Sequence, residues 1–526
     1  MQKALFSRVD DASLAFFRIA FGAVIAWEMT VYLAKGWAIT HYLPQVHFPF
    51  WPFVNLEPLG PWGMRAVFAV TGVAAVYYAL GAFQRWAASV MFVGLTYIFV
   101  LEKTYYLNHW YLACLLAFLC AVFPPTTSWA VTRSQDASKT VAAWPLYVLR
   151  AQLAIVYVFA GIAKMNPDWI RGIPLHGWLI SNADLPVVGP LLQIPETAIA
   201  MAWAGMLLDF LGPFGLLWRR TRLVTFALFV GFHLTNSRLF DIGMFPWFAL
   251  VATTIFFEPS WPRELVDCVR QGRHQMAILS AAAVGGIVAA VVPRDFGVGP
   301  VLVGAAIGAC LAFHFATRRA ARPAPDESLA VTTPPPTNRV VTAFVVGWLL
   351  LQVAVPLRHV FIPGDVTWTE EAHRFSWRMM LRYKSGTLSY RVVDRGTGDE
   401  FVVPPDIFLT KRQLEETSTR PDMIVQFAHW LEGLYQRKRG PGPYAIYADT
   451  ETSLNFRPKK PLIDPTTDLT QVSWPWWPPA PWITSAPPRT PEEADQLISR
   501  WGEFESPLVC PRRDQPGSEG SPQIVK

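Results

Sequence analysis

Long apolar stretches recur along this chain, separated by short polar or basic segments. They fall near residues 14–34, 64–82, 86–101, 107–123, 146–164, 197–218, 222–238, 242–257, 276–293, 297–316 and 340–357. A helix needs roughly 20 apolar residues to cross a hydrocarbon core about 30 Å thick, so each run predicts a crossing or, where it is short, a re-entrant helix. The basic residues sort the connections into two sets. Arg85, then Arg133 with Lys139, then Arg219, Arg220 and Arg222, then Arg263, Arg270 and Arg273, then Arg318, Arg319, Arg322 and Arg339 occupy every second connection. The alternate connections are poorer in basic residues, with Lys103, Arg171 and Arg294 as exceptions. By the positive-inside rule this alternation predicts a polytopic α-helical bundle of about 9–11 transmembrane helices, with a cytoplasmic N-terminus and an extracytoplasmic C-terminus.

Beyond residue 357 the pattern changes. "GTLSYRVVD" and "DEFVVPP" flank Arg395-Gly396-Thr397-Gly398 and predict a β-hairpin. A helical stretch from Lys411 to Arg437 is broken near Pro421, and "YAIYADTETSLNF" alternates like a further strand. The predicted organisation is a helical bundle over 1–316, a Pro-rich charged linker over 317–339, a last crossing at 340–357, a mixed α/β, β-rich soluble domain over 358–470, and a Pro/Trp-rich extended tail over 471–526.

Composition agrees with the periodicity. Of 526 residues, 52% are hydrophobic and only 16% charged, well below an ordinary soluble domain. The net charge of +6 lies in clusters between apolar runs, which fits orientation in a bilayer and argues against a nucleic-acid surface. Acidic and polar residues in "MQKALFSRVDDASLAFF" predict a first helix that is retained rather than cleaved. Cys114, Cys120, Cys268, Cys310 and Cys510 form no CxxC pair, and the ten histidines show no metal-site spacing, so neither a disulfide scaffold nor a metal is expected. GxGxxG, Walker, HExxH and GxSxG motifs are missing.

Candidate chemistry gathers at one membrane level. Lys164 ends the run before Asn166-Pro167, at the predicted outer face. Asn108 and His109 open another run at that face, and His233 with Asn236 lies toward the outer end of a third. A lysine at a helix end ordinarily snorkels to the headgroups, and a single interfacial histidine is ordinarily a packing residue. Several costly ionisable groups at one level instead mark a functional site. An amine in an apolar surround is less readily charged and therefore more useful as a base.

Five ordered stretches carry a resemblance: "DDASLAFFRIAFG", "LEKTYYLNHWYLACLLAF", "VLRAQLAIVYVFAGIAKMNPDWIRG", "FHLTNSRLFDIGMFPWFALVATTIFFEPSWPREL" and "HRFSWRMMLR", with "YRVVDRGTGDEFVVPPDIFLTKRQ" continuing the last. Together they are similar to the vitamin K-dependent gamma-carboxylase family, known in microbes as HTTM-domain membrane proteins. The resemblance implies that a reduced naphthoquinone, vitamin K or menaquinol, is oxidised by O2 to its epoxide through a strongly basic alkoxide. That base takes a γ-proton from a peptide glutamate, which then captures CO2. Lys164 resembles the family base for the quinol and His109 the histidine of the glutamate-side chemistry. Asn108, His233, Asn236, Trp377, Met379 and Met380 resemble substrate- and quinone-pocket positions. The implied partners are a glutamate-containing peptide and the lipid bilayer, in a plasma or inner membrane of a bacterium or the endoplasmic reticulum of a eukaryote. Two departures stand out: Ala163 precedes Lys164 where the family often has a second lysine, and the runs 276–293 and 297–316 look like an added pair of peripheral helices. The residues also accommodate a quinol epoxidase that carboxylates no peptide, or a quinone- or lipid-binding scaffold without chemistry.

Overall fold

The computed structural model describes residues 2–51, 56–132, 138–185, 188–240, 242–271, 280, 338–475 and 479–499. The expected runs 276–293 and 297–316 and the linker up to residue 337 lie outside the described residues, apart from Ser280. The nine other runs form helices: α1 (Ala12–Ala34), α2 (Pro61–Leu80), α3 (Gln84–Leu101), α4 (Asn108–Val122), α5 (Trp144–Lys164), α6 (Pro195–Leu217), α7 (Arg222–Leu239), α8 (Phe245–Thr253) and, after α9 (Trp261–Arg270), α10 (Arg339–Leu357). Six of these, α1, α2, α3, α5, α6 and α10, are long and apolar enough to cross a membrane. The shorter α4 and α8 are apolar and mostly buried, and at about 1.5 Å per residue neither reaches across 30 Å by itself. Local chemistry sets the ends: Pro61 opens α2, and Gly81 closes it in the left-handed conformation at φ 75°. A side chain at Gly81 would stand 2.7 Å from Ala130 Cα.

At one end of the bundle a two-stranded ribbon, β1 (Arg8–Asp10) with β2 (Thr140–Ala142), ties the N-terminal segment to the chain before α5. The buried Arg18 donates to Thr126 Oγ1 at 2.6 Å and to the Trp129 carbonyl at 2.9 Å, and Asp11 accepts from the Thr127 and Ser128 amides at 2.6 and 2.9 Å. Arg263 grips Asp10 through two bonds of 2.9 and 2.8 Å. Charged side chains at this depth are therefore hydrogen-bonded, as an apolar surround requires.

The opposite end carries the soluble domain. Its sheet has the order β4-β3-β5, where β3 (Lys384–Asp394) pairs antiparallel with both β4 (Glu400–Val403) and β5 (Tyr444–Leu454). Both the predicted hairpin and the predicted later strand are present. The helical stretch splits at Pro421 into α11 (Lys411–Thr417) and α12 (Pro421–Arg439), and Thr410 and Gln413 form a reciprocal capping box on α11. Inward residues of the sheet, Tyr390, Val392, Ile446 and Ala448, join Ile424, Phe427 and Leu431 of α12 in one core.

That core extends past the expected boundary at 470. Ala480 and Trp482 are buried in it, Ile483 bridges to Ile463, and the Ala480 amide donates to Glu371 at 2.7 Å. Proline and tryptophan prevent a regular ladder there but not dense packing, and a further helix, Pro491–Ser499, follows. Val46 and Phe48, from the connection between α1 and α2, also enter this core, and Gln413 donates to the Val46 carbonyl at 2.7 Å. The soluble domain is thus packed directly onto the bundle.

Candidate active site

Helix α5 and helix α6 meet at a glycine. A Cβ on Gly161 would lie 2.7 Å from the Phe210 backbone nitrogen, so the absent side chain lets the two backbones touch. One turn along α5, Lys164 Nζ lies 2.7 Å from Oδ2 of Asp209 on α6, with each side chain about 6% exposed. The Trp169 ring centroid stands 5.5 Å from the same nitrogen. Asn166 fixes the exit of the chain by accepting from the Trp169 amide and donating to the Ala163 carbonyl, both at 3.0 Å. Gly161→Ala is expected to cost about 1–3 kcal/mol by overpacking and to part Lys164 from Asp209. A drop in melting temperature would show this; an unaltered variant would mean the helices separate freely.

The pair forms part of the wall of a cavity of about 2240 Å³ between α1, α4, α5, α6, α7 and the soluble domain. His109 is buried and stacks on Phe245 at 5.7 Å, and His233 approaches the same ring edge-on at 5.7 Å. Phe245 is therefore in contact with both imidazoles. Nε2 of His233 is 3.2 Å from the Tyr157 hydroxyl, and its Nδ1 is buried with no hydrogen-bond partner among the described residues. Asn108 accepts from the Tyr106 hydroxyl at 3.0 Å, and that hydroxyl accepts from the Phe375 amide at 2.7 Å, linking α4 to the soluble domain.

Seven of the eight residues singled out in the sequence line this cavity: Lys164, His109, Asn108, His233, Asn236, Met379 and Met380. The eighth, Trp377, does not. It is 1% exposed and stacks on Tyr111 at 4.9 Å, where it backs the segment that carries Met379 and Met380. Asp209, Tyr157 and Phe245 were not anticipated. Asp209 did leave a signal, as the one acidic residue within the run 197–218. At the mouth, burial and the neighbouring Arg382 and Arg378 hold His373 well below its ordinary pKa. Among the described residues no group of three His, Cys, Asp or Glu side chains is placed to hold a metal ion.

The comparison with known families matches both halves of this architecture. Residues 6–261 match the HTTM domain, and residues 337–489 match the vitamin K-dependent gamma-carboxylase lumenal domain. The chain belongs to the vitamin K-dependent gamma-carboxylase family. In carboxylase-family terms, the bundle carrying Lys164, Asp209 and the two histidines is the HTTM region, and the soluble domain that roofs the cavity is the extracytoplasmic lumenal domain. The family match to the lumenal domain runs to residue 489, past Trp482, in agreement with the packed core. No solved structure matches the chain.

Proposed function

We propose that this protein is a membrane γ-glutamyl carboxylase. It couples oxidation of a reduced naphthoquinone, vitamin K or menaquinol, to carboxylation of a peptide glutamate. The quinol and O2 become epoxide and water, and the glutamate Cγ–H is replaced by Cγ–CO2⁻. The observation that carries this reading is the buried Lys164–Asp209 pair, 2.7 Å apart on the cavity wall.

The fit is chemical as well as spatial. The cavity is larger than the few hundred to about 1,000 Å³ of a site for one small molecule, leaving room for a quinone ring with its tail and for a peptide side chain. Apolar groups of α6 and α7 such as Leu211, Phe214 and Phe232 line its membrane part, and cationic groups of the soluble domain line its mouth. A lipid-borne quinol and a water-borne peptide suit these two surfaces. Lys164 is the group that takes a quinol hydroxyl proton. Asp209 accepts from the amine, fixes the direction of its lone pair and balances the ammonium once it forms. The apolar wall keeps water from quenching strong bases. His109, held against Phe245, serves the glutamate side. The N-terminus is cytoplasmic in this scheme, with the basic end of the bundle inside.

The test is turnover by detergent-purified protein supplied with reduced vitamin K, O2, labelled bicarbonate and a glutamate-rich peptide. Acid-stable label in the peptide supports the carboxylase. Epoxide without label reduces the function to a quinol epoxidase, and neither product from folded, quinol-binding protein leaves a scaffold. His109→Ala is expected to lower label incorporation by about 10²-fold or more, and epoxide formation by less. Equal loss of both products would remove His109 from the glutamate side.

A further inference from the structure

The mouth of the cavity is walled by cationic groups from residues 373–382 and from the start of α11. On the first of these segments, two of three guanidinium groups are matched. Arg374 lies 2.7 Å from Asp422, and Arg382 pairs with Glu370. Arg378 differs. No carboxylate among the described residues comes within 4.0 Å of it, and its nearest polar side-chain partner is His359 Nε2 at 3.5 Å. Burial and then the nearby Arg382 push its guanidinium down to about 10, with Asp365 and Glu370 opposing this. An unmatched, partly desolvated cation facing a cavity is costly, and an anion arriving from that cavity relieves the cost.

The backbone carrying Arg378 is unusual in the same place. Glu370, Ala372, Phe375, Trp377 and Met380 adopt φ of 64, 57, 64, 55 and 50°, and none is glycine. Such conformations persist only where the surroundings impose them, and they gather at ligand clamps. Here the imposing contacts are the Phe375 amide on the Tyr106 hydroxyl, Trp377 stacked on Tyr111, and Glu371 bonded to the Ala480 amide. The segment is thereby fixed from three sides, with Arg378, Met379 and Met380 all left on the cavity wall.

A guanidinium presents parallel N–H donors that match a carboxylate. We propose that Arg378 recognises the γ-carboxylate of the substrate glutamate side chain. The identity of that side chain rests on the carboxylase reading above; the recognition of a carboxylate rests on the unmatched guanidinium. Removing a proton beside a carboxylate adds negative charge to the same group, so a guanidinium there also stabilises what the reaction creates.

The experiment is binding without turnover. A fluorescent, end-capped peptide with one glutamate in an otherwise uncharged sequence, and its glutamine counterpart, are titrated by anisotropy against full-length wild-type protein, R378Q and R378K in detergent. Wild type is expected to bind the glutamate peptide at least about tenfold more tightly than the glutamine peptide. R378Q is expected to lose that preference and R378K to keep only part of it. Equal binding of both peptides by wild type overturns the proposal, as does a preference undiminished in R378Q. A preference that emerges only with added flanking acidic residues overturns the assignment to the reacting side chain. Should R378Q melt too low to assay, R378K decides in the same sense. A preference that depends on Arg378 in a protein that carboxylates nothing would uphold this inference while removing the catalytic reading.

Discussion

Replacing Lys164 by alanine is expected to lower quinol oxidation by about 10²- to 10⁴-fold, the ordinary span for loss of a positioned proton-transfer group. The structure adds a second consequence. Asp209 lies 2.7 Å from Lys164 in a site about 6% exposed, so the alanine variant leaves a buried carboxylate without its cation. Breaking one side of such a pair costs about 3–5 kcal/mol, whereas replacing both charges by apolar groups is often neutral or stabilising. Lys164→Met paired with Asp209→Leu should therefore melt close to the parent yet remain inactive. Lys164→Ala alone should be both inactive and less stable. Epoxide measured by chromatography, beside a melting curve for each variant, separates the two effects. Quinol turnover surviving in the stable double variant would end the assignment of Lys164 as the base. Asp209→Asn isolates the positioning role: it keeps the shape while removing the charge that balances the ammonium, so turnover should fall with little change in quinol affinity.

What the sequence disclosed about this site follows from how each residue is marked. Lys164, Asn108, His109, His233 and Asn236 were legible because a polar group at the end of an apolar run is conspicuous, and the alternation of basic loops places those ends at one membrane level. The soluble domain's hairpin, split helix and later strand were legible through turn chemistry and period-two alternation. Asp209 was legible only in part, since a lone acid inside an apolar run announces a role but not a partner; its pairing with Lys164 depends on the close α5–α6 contact at Gly161. The contact of Phe245 with both His109 and His233 left no trace in spacing, because the three come from three helices. Nor did composition show that Val46 and Phe48 belong to the soluble core, since an aromatic connection after a first crossing reads equally as an interfacial belt. Trp377 shows the opposite limit: its neighbours Met379 and Met380 line the cavity, while the positive φ at Trp377 accompanies an indole packed against Tyr111.

An equally large loss of stability is expected from Asp422→Ala, at the joint between the two parts of the molecule. Asp422 opens α12 and accepts from Lys103 Nζ at 2.6 Å and from Arg374 at 2.7 Å. Lys103 lies in the turn between α3 and α4, so one carboxylate ties the soluble domain to the bundle a few residues from His109. Burial pushes the Lys103 ammonium down to about 8 even with Asp422 beside it. Removing the carboxylate leaves two buried cations facing each other, a loss of about 3–5 kcal/mol. Burial alone would raise the Asp422 carboxyl, but the charges of Arg374 and Lys103 outweigh it and hold the group well below the usual carboxylate range. With the folded value below the unfolded one, its contribution is complete above about pH 4 and fades as pH falls through that value toward the folded one. Melting curves from pH 3 to pH 7 should accordingly show a large deficit for Asp422→Ala near neutrality that narrows in acid. A deficit that stays constant with pH would mean the carboxylate acts through packing rather than charge, and no deficit at all would mean the soluble domain is held by its apolar contacts through Val46 and Phe48 instead.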